Sequence, residues 1–171
     1  MATENKMSAV QPVRPAPRPR LRLGALIGSG DRIAAFVLPF VLAGAALNIV
    51  SPEVFSVGGP PLWLRAVSAL VLGVGAVIWA WSVLLILTKV RAGQLVRTGP
   101  YSLVKHPLYT SVALLVLPWL GFLLDTWLGA LIGIALYVAS RLFAPAEEAE
   151  LVDRFGPEWD AYCRRVKVPW L

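Results

Sequence analysis

The chain has 171 residues, of which 57% are hydrophobic and only 15% charged. Soluble domains hold about 45–50% apolar and about 25% charged residues, so this composition excludes an ordinary soluble domain and predicts an all-α, polytopic integral membrane protein. The formal net charge is +6, yet the basic residues flank apolar runs and do not share one polar face, which fits a membrane protein and not a nucleic-acid binder. The lone Cys163 excludes an internal disulfide and a multi-cysteine metal site, and no metal is expected.

Residues 1–30 begin with MATENKMSAVQPVRPAPRPRLRLG, a stretch rich in Pro, Arg and Ala that has no apolar run of its own. They read as a disordered or extended basic tail near anionic headgroups, and not as a cleavable signal peptide. The rest, 31–171, reads as a single membrane domain. A first span is predicted at about 32–50, RIAAFVLPFVLAGAALNIV, long enough for about 30 Å of hydrocarbon and kinked at Pro39. After the loop SPEVFSVGGPP comes a longer second span at about 62–87, with length to spare for tilting. A basic connector with Lys89, Arg91, Arg97 and Lys105 follows. Residues 108–143 are then almost wholly apolar, broken only at Leu124-Asp125-Thr126. Each half is short for a crossing, so the pattern predicts a tight helical hairpin with spans at about 108–124 and 126–143. The N-terminal tail, the connector and the C-terminal tail are basic, whereas the first loop and the hairpin tip carry Glu53 and Asp125 and no Lys or Arg. About four spans with both termini cytoplasmic satisfy this asymmetry.

Within the connector, residues 97–109 read RTGPYSLVKHPLY and hold the single histidine. Gly99-Pro100 signals a turn. Pro107 suits the first position of a helix, which places His106 at or beside the N-cap. A helix start offers unpaired N–H groups and partial positive charge to an anion. Lys105 and His106 add donors there, and Tyr101 and Tyr109 add aromatic faces with hydroxyls. The stretch suits a small anionic ligand with an aromatic part; the plainer alternative is a capped helix start with ordinary interfacial anchors.

The tail APAEEAELVDRFGPEWDAYCRRVKVPWL predicts short amphipathic helices over 145–167. Pro145 reads as an early helix position with Glu147 and Glu148 in the first turn. Leu151, Val152 and Phe155 form an apolar stripe, Gly156-Pro157 interrupts it, and Trp159, Tyr162 and Val166 resume it. Adjacent carboxylates point about 100° apart on a helix. One of the pair can face a site while the other faces water or an arginine; alternatively both are solvated and complement the helix dipole.

Together the two segments resemble the isoprenylcysteine carboxyl methyltransferase and phospholipid methyltransferase superfamily. GPYSLVKHPLY is similar to its Gly-Pro-Tyr…Arg-His-Pro-x-Tyr motif, and EEAELVDRFGPEWDAYCRRV to its second block of a Glu pair, Phe-Gly, an aromatic residue, Tyr and Arg-Val. The resemblance runs from about Leu62 to the C-terminus. Gly73-Val74-Gly75 in the second span is similar to a Gly-x-Gly assigned to the cofactor, though small residues also serve helix packing. Lys105 stands for the usual Arg, Ser111 for a common Gly, and RRVKVPWL departs at the end.

The resemblance implies methyl transfer from S-adenosyl-L-methionine, with S-adenosyl-L-homocysteine as product, to a lipophilic or prenylated carboxylate, amine, thiol or phenol at the cytoplasmic membrane interface. It implies His106, Glu148 and Arg165 as catalytic residues. The cofactor would be bound by Gly73, Gly75, Tyr101, Lys105, His106, Pro107, Tyr109, Glu147, Glu148 and Tyr162. In this reading the cofactor carboxylate suits Lys105, His106 and the helix start, its ammonium suits a glutamate, and Arg165 holds either that carboxylate or Glu148. Tyrosines can line its adenosine or sulfonium. Whether His106 is a ligand or a proton acceptor stays open. Two other readings compete: an NADPH-dependent sterol-reductase-like enzyme, to which GPEWDAYC is also similar, and a non-catalytic membrane scaffold. Oligomeric state is not legible here.

Overall fold

The computed structural model describes residues 30–90 and 92–168. The predicted basic tail lies outside the described residues except for Gly30, as do Arg91 and the last three positions. Seven α-helices are described: α1 Gly30–Val50, α2 Pro52–Phe55, α3 Leu62–Leu85, α4 Pro107–Ser111, α5 Leu117–Leu123, α6 Leu128–Phe155 and α7 Pro157–Cys163. A π-helical turn, Ile86–Val90, extends α3, and another, Val112–Val116, joins α4 to α5. The second lies just before Pro118, whose missing N–H and ring disturb the preceding turn. The described residues form no named strand, so the all-α membrane fold predicted from composition is what is seen.

Among the described residues three helices are long and apolar enough to cross a membrane: Gly30–Val50, Leu62–Val90 and Leu128–Phe155. The stretch Pro107–Leu123 is shorter, about 25 Å at 1.5 Å per residue. In space α1 lies against α6, α6 against α4–α5, and α4–α5 against α3. Small residues permit the closest approaches. Gly75 faces the turn after α4: a Cβ there would sit 2.7 Å from the Leu115 Cβ. Gly129 and Gly133 abut the carbonyls of Leu117 and Ala113, and Gly121 abuts Gly129. Without water to drive helices together, such contacts supply much of the packing energy in a bilayer.

The predicted hairpin is present, and its tip is cross-linked to the first loop. The Asp125 carboxylate accepts hydrogen bonds from Ser56 Oγ and Gly59 N, both 2.9 Å. Trp127 N donates to the Phe55 carbonyl at 2.9 Å and Trp127 Nε1 to that of Val54 at 2.9 Å. These bonds hold the Asp125 carboxyl below its usual range, that from Gly59 N foremost, then Ser56.

One boundary differs from expectation. Pro145 does not begin a helix; it lies inside α6, which runs unbroken from Leu128 to Phe155. Glu147 and Glu148 therefore occupy helix interior and not a first turn. An interior proline costs about 3 kcal/mol in an isolated helix. Here the helix is held on both sides of it: Phe143 packs on the Ile33–Val37–Ala139 cluster, and Glu148 is bound by the connector. The apolar part of α6 ends near Phe143, and Glu148 stands about 30 Å along the axis from Leu128, where a bilayer core ends.

Candidate active site

The connector is shaped by its turns. Gly93 N donates to the Val90 carbonyl at 2.9 Å and Gln94 N to that of Lys89 at 3.0 Å, a paired closure with Gly93 in the left-handed region at φ +71°. The chain then runs without regular structure to Thr98, whose own backbone is extended. Gly99 is required twice over: its φ is +62°, and a Cβ would lie 3.1 Å from the Trp81 ring. The 3-10 turn Gly99–Ser102 rests there, and the backbone reaches α4, with His106 as N-cap and Pro107 first in the helix. The predicted placement of these two residues is what is observed.

His106 does not cap its own helix with its side chain. Its Nε2 lies 3.2 Å from Glu148 Oε1, while Lys105 Nζ donates to both Glu148 oxygens at 2.8 and 2.9 Å. The three side chains are 10%, 27% and 15% exposed for His106, Glu148 and Lys105. The hydrogen bond to His106, followed by the contacts of Lys105, holds the Glu148 carboxyl down at about 2 against partial burial. Glu148 is thus ionised and doubly held.

Tyr162, 4% exposed, donates to the Tyr101 carbonyl at 2.8 Å, and Val168 N donates to that of Leu103 at 2.9 Å, so the C-terminal segment is fastened across the connector. Burial, then the neighbouring Glu147 carboxylate, then Tyr162 and Tyr109, push the Tyr101 phenol up, which brings the three tyrosines and Glu147 into one neighbourhood. Tyr109 also packs on the Ile33–Val37–Ala139 cluster. Burial raises the Cys163 thiol above its usual range, so this neighbour of Lys105 and Glu148 is not an activated nucleophile.

Tyr101, Lys105, His106, Pro107, Tyr109, Glu147, Glu148 and Tyr162 are therefore assembled at one end of the helix bundle, from segments more than 40 residues apart. Gly73, Gly75 and Arg165 are placed differently. Gly75 packs against Leu115 and Val116, nine or more residues past His106 and about 13 Å along the helix. Gly73 is exposed, and a Cβ there would meet nothing within 4 Å. Arg165 is exposed on the turn after α7; of the two partners expected for it, the cofactor carboxylate and Glu148, the second is held by Lys105 and His106. Sequence reasoning treated Lys105 and Glu148 as separate ligand groups and missed their direct pairing, although the opposite charges of the two motifs signalled it.

It also missed a pocket of about 480 Å³ beside the site, lined by Lys89, Gln94, Leu95, Arg97, Phe155 and Glu158 among others. Leu95 and Phe155 of its wall also pack against the buried Trp159–Tyr162–Val166 cluster.

No curated protein and no solved structure matches the chain. Residues 62–153, from the start of α3 to the last turn of α6, match the model of the isoprenylcysteine carboxyl methyltransferase (ICMT) family, and they contain both charged partners of the Lys105–Glu148 pair. The chain belongs to that family and is a membrane methyltransferase.

Proposed function

We propose that the protein transfers a methyl group from S-adenosylmethionine to a lipophilic acceptor at the connector-side membrane surface, which the charge asymmetry assigns to the cytoplasm. The observation that carries this reading is the convergence of Lys105, His106 and Glu148 with three tyrosines at the bilayer boundary, in a chain of this family.

The residues present fit such a cofactor by charge. Leaving His106 aside, Lys105 against Glu147 and Glu148 sums to −1. S-adenosylmethionine carries a sulfonium, an ammonium and a carboxylate, for a net +1. The site therefore attracts the methyl donor more than the neutral product, which favours exchange after each turnover. When bound, the cofactor supplies an electrophilic methyl carbon on sulfur. The chain's own part is positioning, the main requirement of an in-line displacement. Lys105 and His106 immobilise Glu148, Glu147 and Tyr101 offer a carboxylate and an aromatic face to cationic parts, and Pro107 presents the first N–H groups of α4 to a carboxylate. With its Nε2 held on Glu148, His106 acts as a positioning ligand, and an acceptor that is already a carboxylate needs no base. A lipophilic substrate approaches through lipid, its reactive head level with Glu148.

The test is calorimetric titration with S-adenosylhomocysteine, with helicity measured in parallel. His106→Ala and Glu148→Gln should weaken binding while preserving helicity; unchanged affinity in both removes the site assignment. Incubation with radiolabelled S-adenosylmethionine and a lipid extract then identifies the acceptor by its labelled product.

A further inference from the structure

We propose that the 480 Å³ pocket between the end of α3 and the start of α7 binds a phosphate-bearing headgroup, with Lys89 and Arg97 as its cationic ligands. None of Tyr101, Lys105, His106, Glu147 or Glu148 lines this pocket, so it is a second site and not an arm of the first. Its height in the membrane follows from helix length. The apolar helix Leu62–Val90 has 29 residues, about 43 Å, against a hydrocarbon core of about 30 Å. Lys89, one residue from its end, therefore reaches the headgroup layer, where lysine is favoured.

The lining has two sides of different character. Lys89, Arg97, Gln94 and Thr98 supply charge and hydrogen-bond donors, opposed by the single carboxylate of Glu158; Leu95, Val96 and Phe155 supply an apolar wall. Such a cavity suits a ligand with an anionic end and a short apolar stem. The volume falls within the range of about 300–1,000 Å³ typical of small-molecule sites. Arg97 is only loosely committed. Its partner Glu158 is 3.6 Å away, and the two side chains are 49% and 61% exposed. Pairs so exposed contribute little, whereas a phosphate offers the guanidinium a bidentate acceptor. The ligand displaces Glu158 from Arg97 on binding.

The same phosphate chemistry is offered by a membrane lipid and by a soluble anion. The experiment uses the full chain in neutral detergent and follows thermal unfolding with three additives: dihexanoyl phosphatidylglycerol below its micellar concentration, inorganic phosphate, and S-adenosylhomocysteine. Phosphatidylglycerol should raise the unfolding temperature saturably. Lys89→Gln and Arg97→Gln should each weaken that response by about fivefold, and Glu158→Gln should strengthen it. A larger response to the lipid than to phosphate assigns a membrane source; an equal response to both supports the site with a soluble ligand. Absence of any saturable response, or one unchanged in Lys89→Gln/Arg97→Gln with helicity intact, overturns the proposal. So does loss of the S-adenosylhomocysteine response in that double variant, because it would place the pocket within the cofactor site.

Discussion

Replacing Glu148 by Gln keeps the shape of the side chain and removes its charge. Lys105 is then left 15% exposed with no counter-ion in contact, and His106 loses a charged hydrogen-bond partner. Breaking a fully buried pair costs about 3–5 kcal/mol, and an exposed one about 0–1 kcal/mol. With Glu148 27% exposed, this pair lies between, at about 2 kcal/mol. For a chain of this length that corresponds to a fall of about 4–8 °C in unfolding temperature, measurable by circular dichroism in detergent. The pH dependence has a definite sign. The folded carboxyl sits at about 2, below its ordinary value of 4.5, so its contribution is complete above about pH 5 and is lost as pH falls from there through about 2. The wild type and Glu148→Gln should therefore converge in stability as the pH falls from about 5 toward 2. Lys105→Met separates the pair from its parts. In a double-mutant cycle the coupling between positions 105 and 148 should be about 1 kcal/mol or more. A coupling below about 0.3 kcal/mol at pH 7, or equal stability of the wild type and Glu148→Gln, would refute the claim that this pair fastens the C-terminal half of α6 to the connector.

Three further outcomes follow from the packing. Gly75→Ala should destabilise by about 1–3 kcal/mol because its Cβ would press on Leu115, whereas Gly73→Ala should be neutral or gain up to about 1 kcal/mol of helix propensity. If Gly73→Ala weakens S-adenosylhomocysteine binding in calorimetry, Gly73 touches the cofactor after all. Tyr162→Phe removes the bond to the Tyr101 carbonyl, about 1 kcal/mol, and should speed amide exchange in α7 before the rest of the chain. Asp125→Ala should lower the unfolding temperature more than Asp125→Asn, because Asn tolerates the left-handed backbone at φ 57° and keeps an acceptor for Ser56 or Gly59.

The three long apolar helices were legible because each is an apolar run bounded by turn residues, and the helix start at Pro107 because proline there has one good position. Pro145 misled for the same reason. Read locally, it begins a helix; in the fold, the packing of Phe143 on one side and the Lys105–Glu148 pair on the other carry the helix through it. A contact between positions 43 residues apart is not visible in a local pattern. The pair Gly73 and Gly75 shows the same limit. Two glycines two residues apart point about 200° apart on a helix, so a motif read as a unit along the sequence divides between a packed face and an open one.

The continuity of α6 bears directly on chemistry. Had the helix broken at Pro145, the carboxylates would have lain on a surface segment free to move with the tail. Carried in one rod from the hairpin tip, Glu147 and Glu148 are set at a fixed height, about 30 Å from Leu128. The tip itself is anchored by Asp125 and Trp127 to the opposite loop. The distance from the hairpin tip to Glu148 is thus fixed by the rise of one continuous helix. On the function proposed above, an acceptor held by its apolar stem in the bilayer would present its head at that height without a closing domain. On that same proposal the enzyme would then need only to grip the donor, beside a Glu148 that Lys105 and His106 immobilise and a C-terminal segment that Tyr162 fastens.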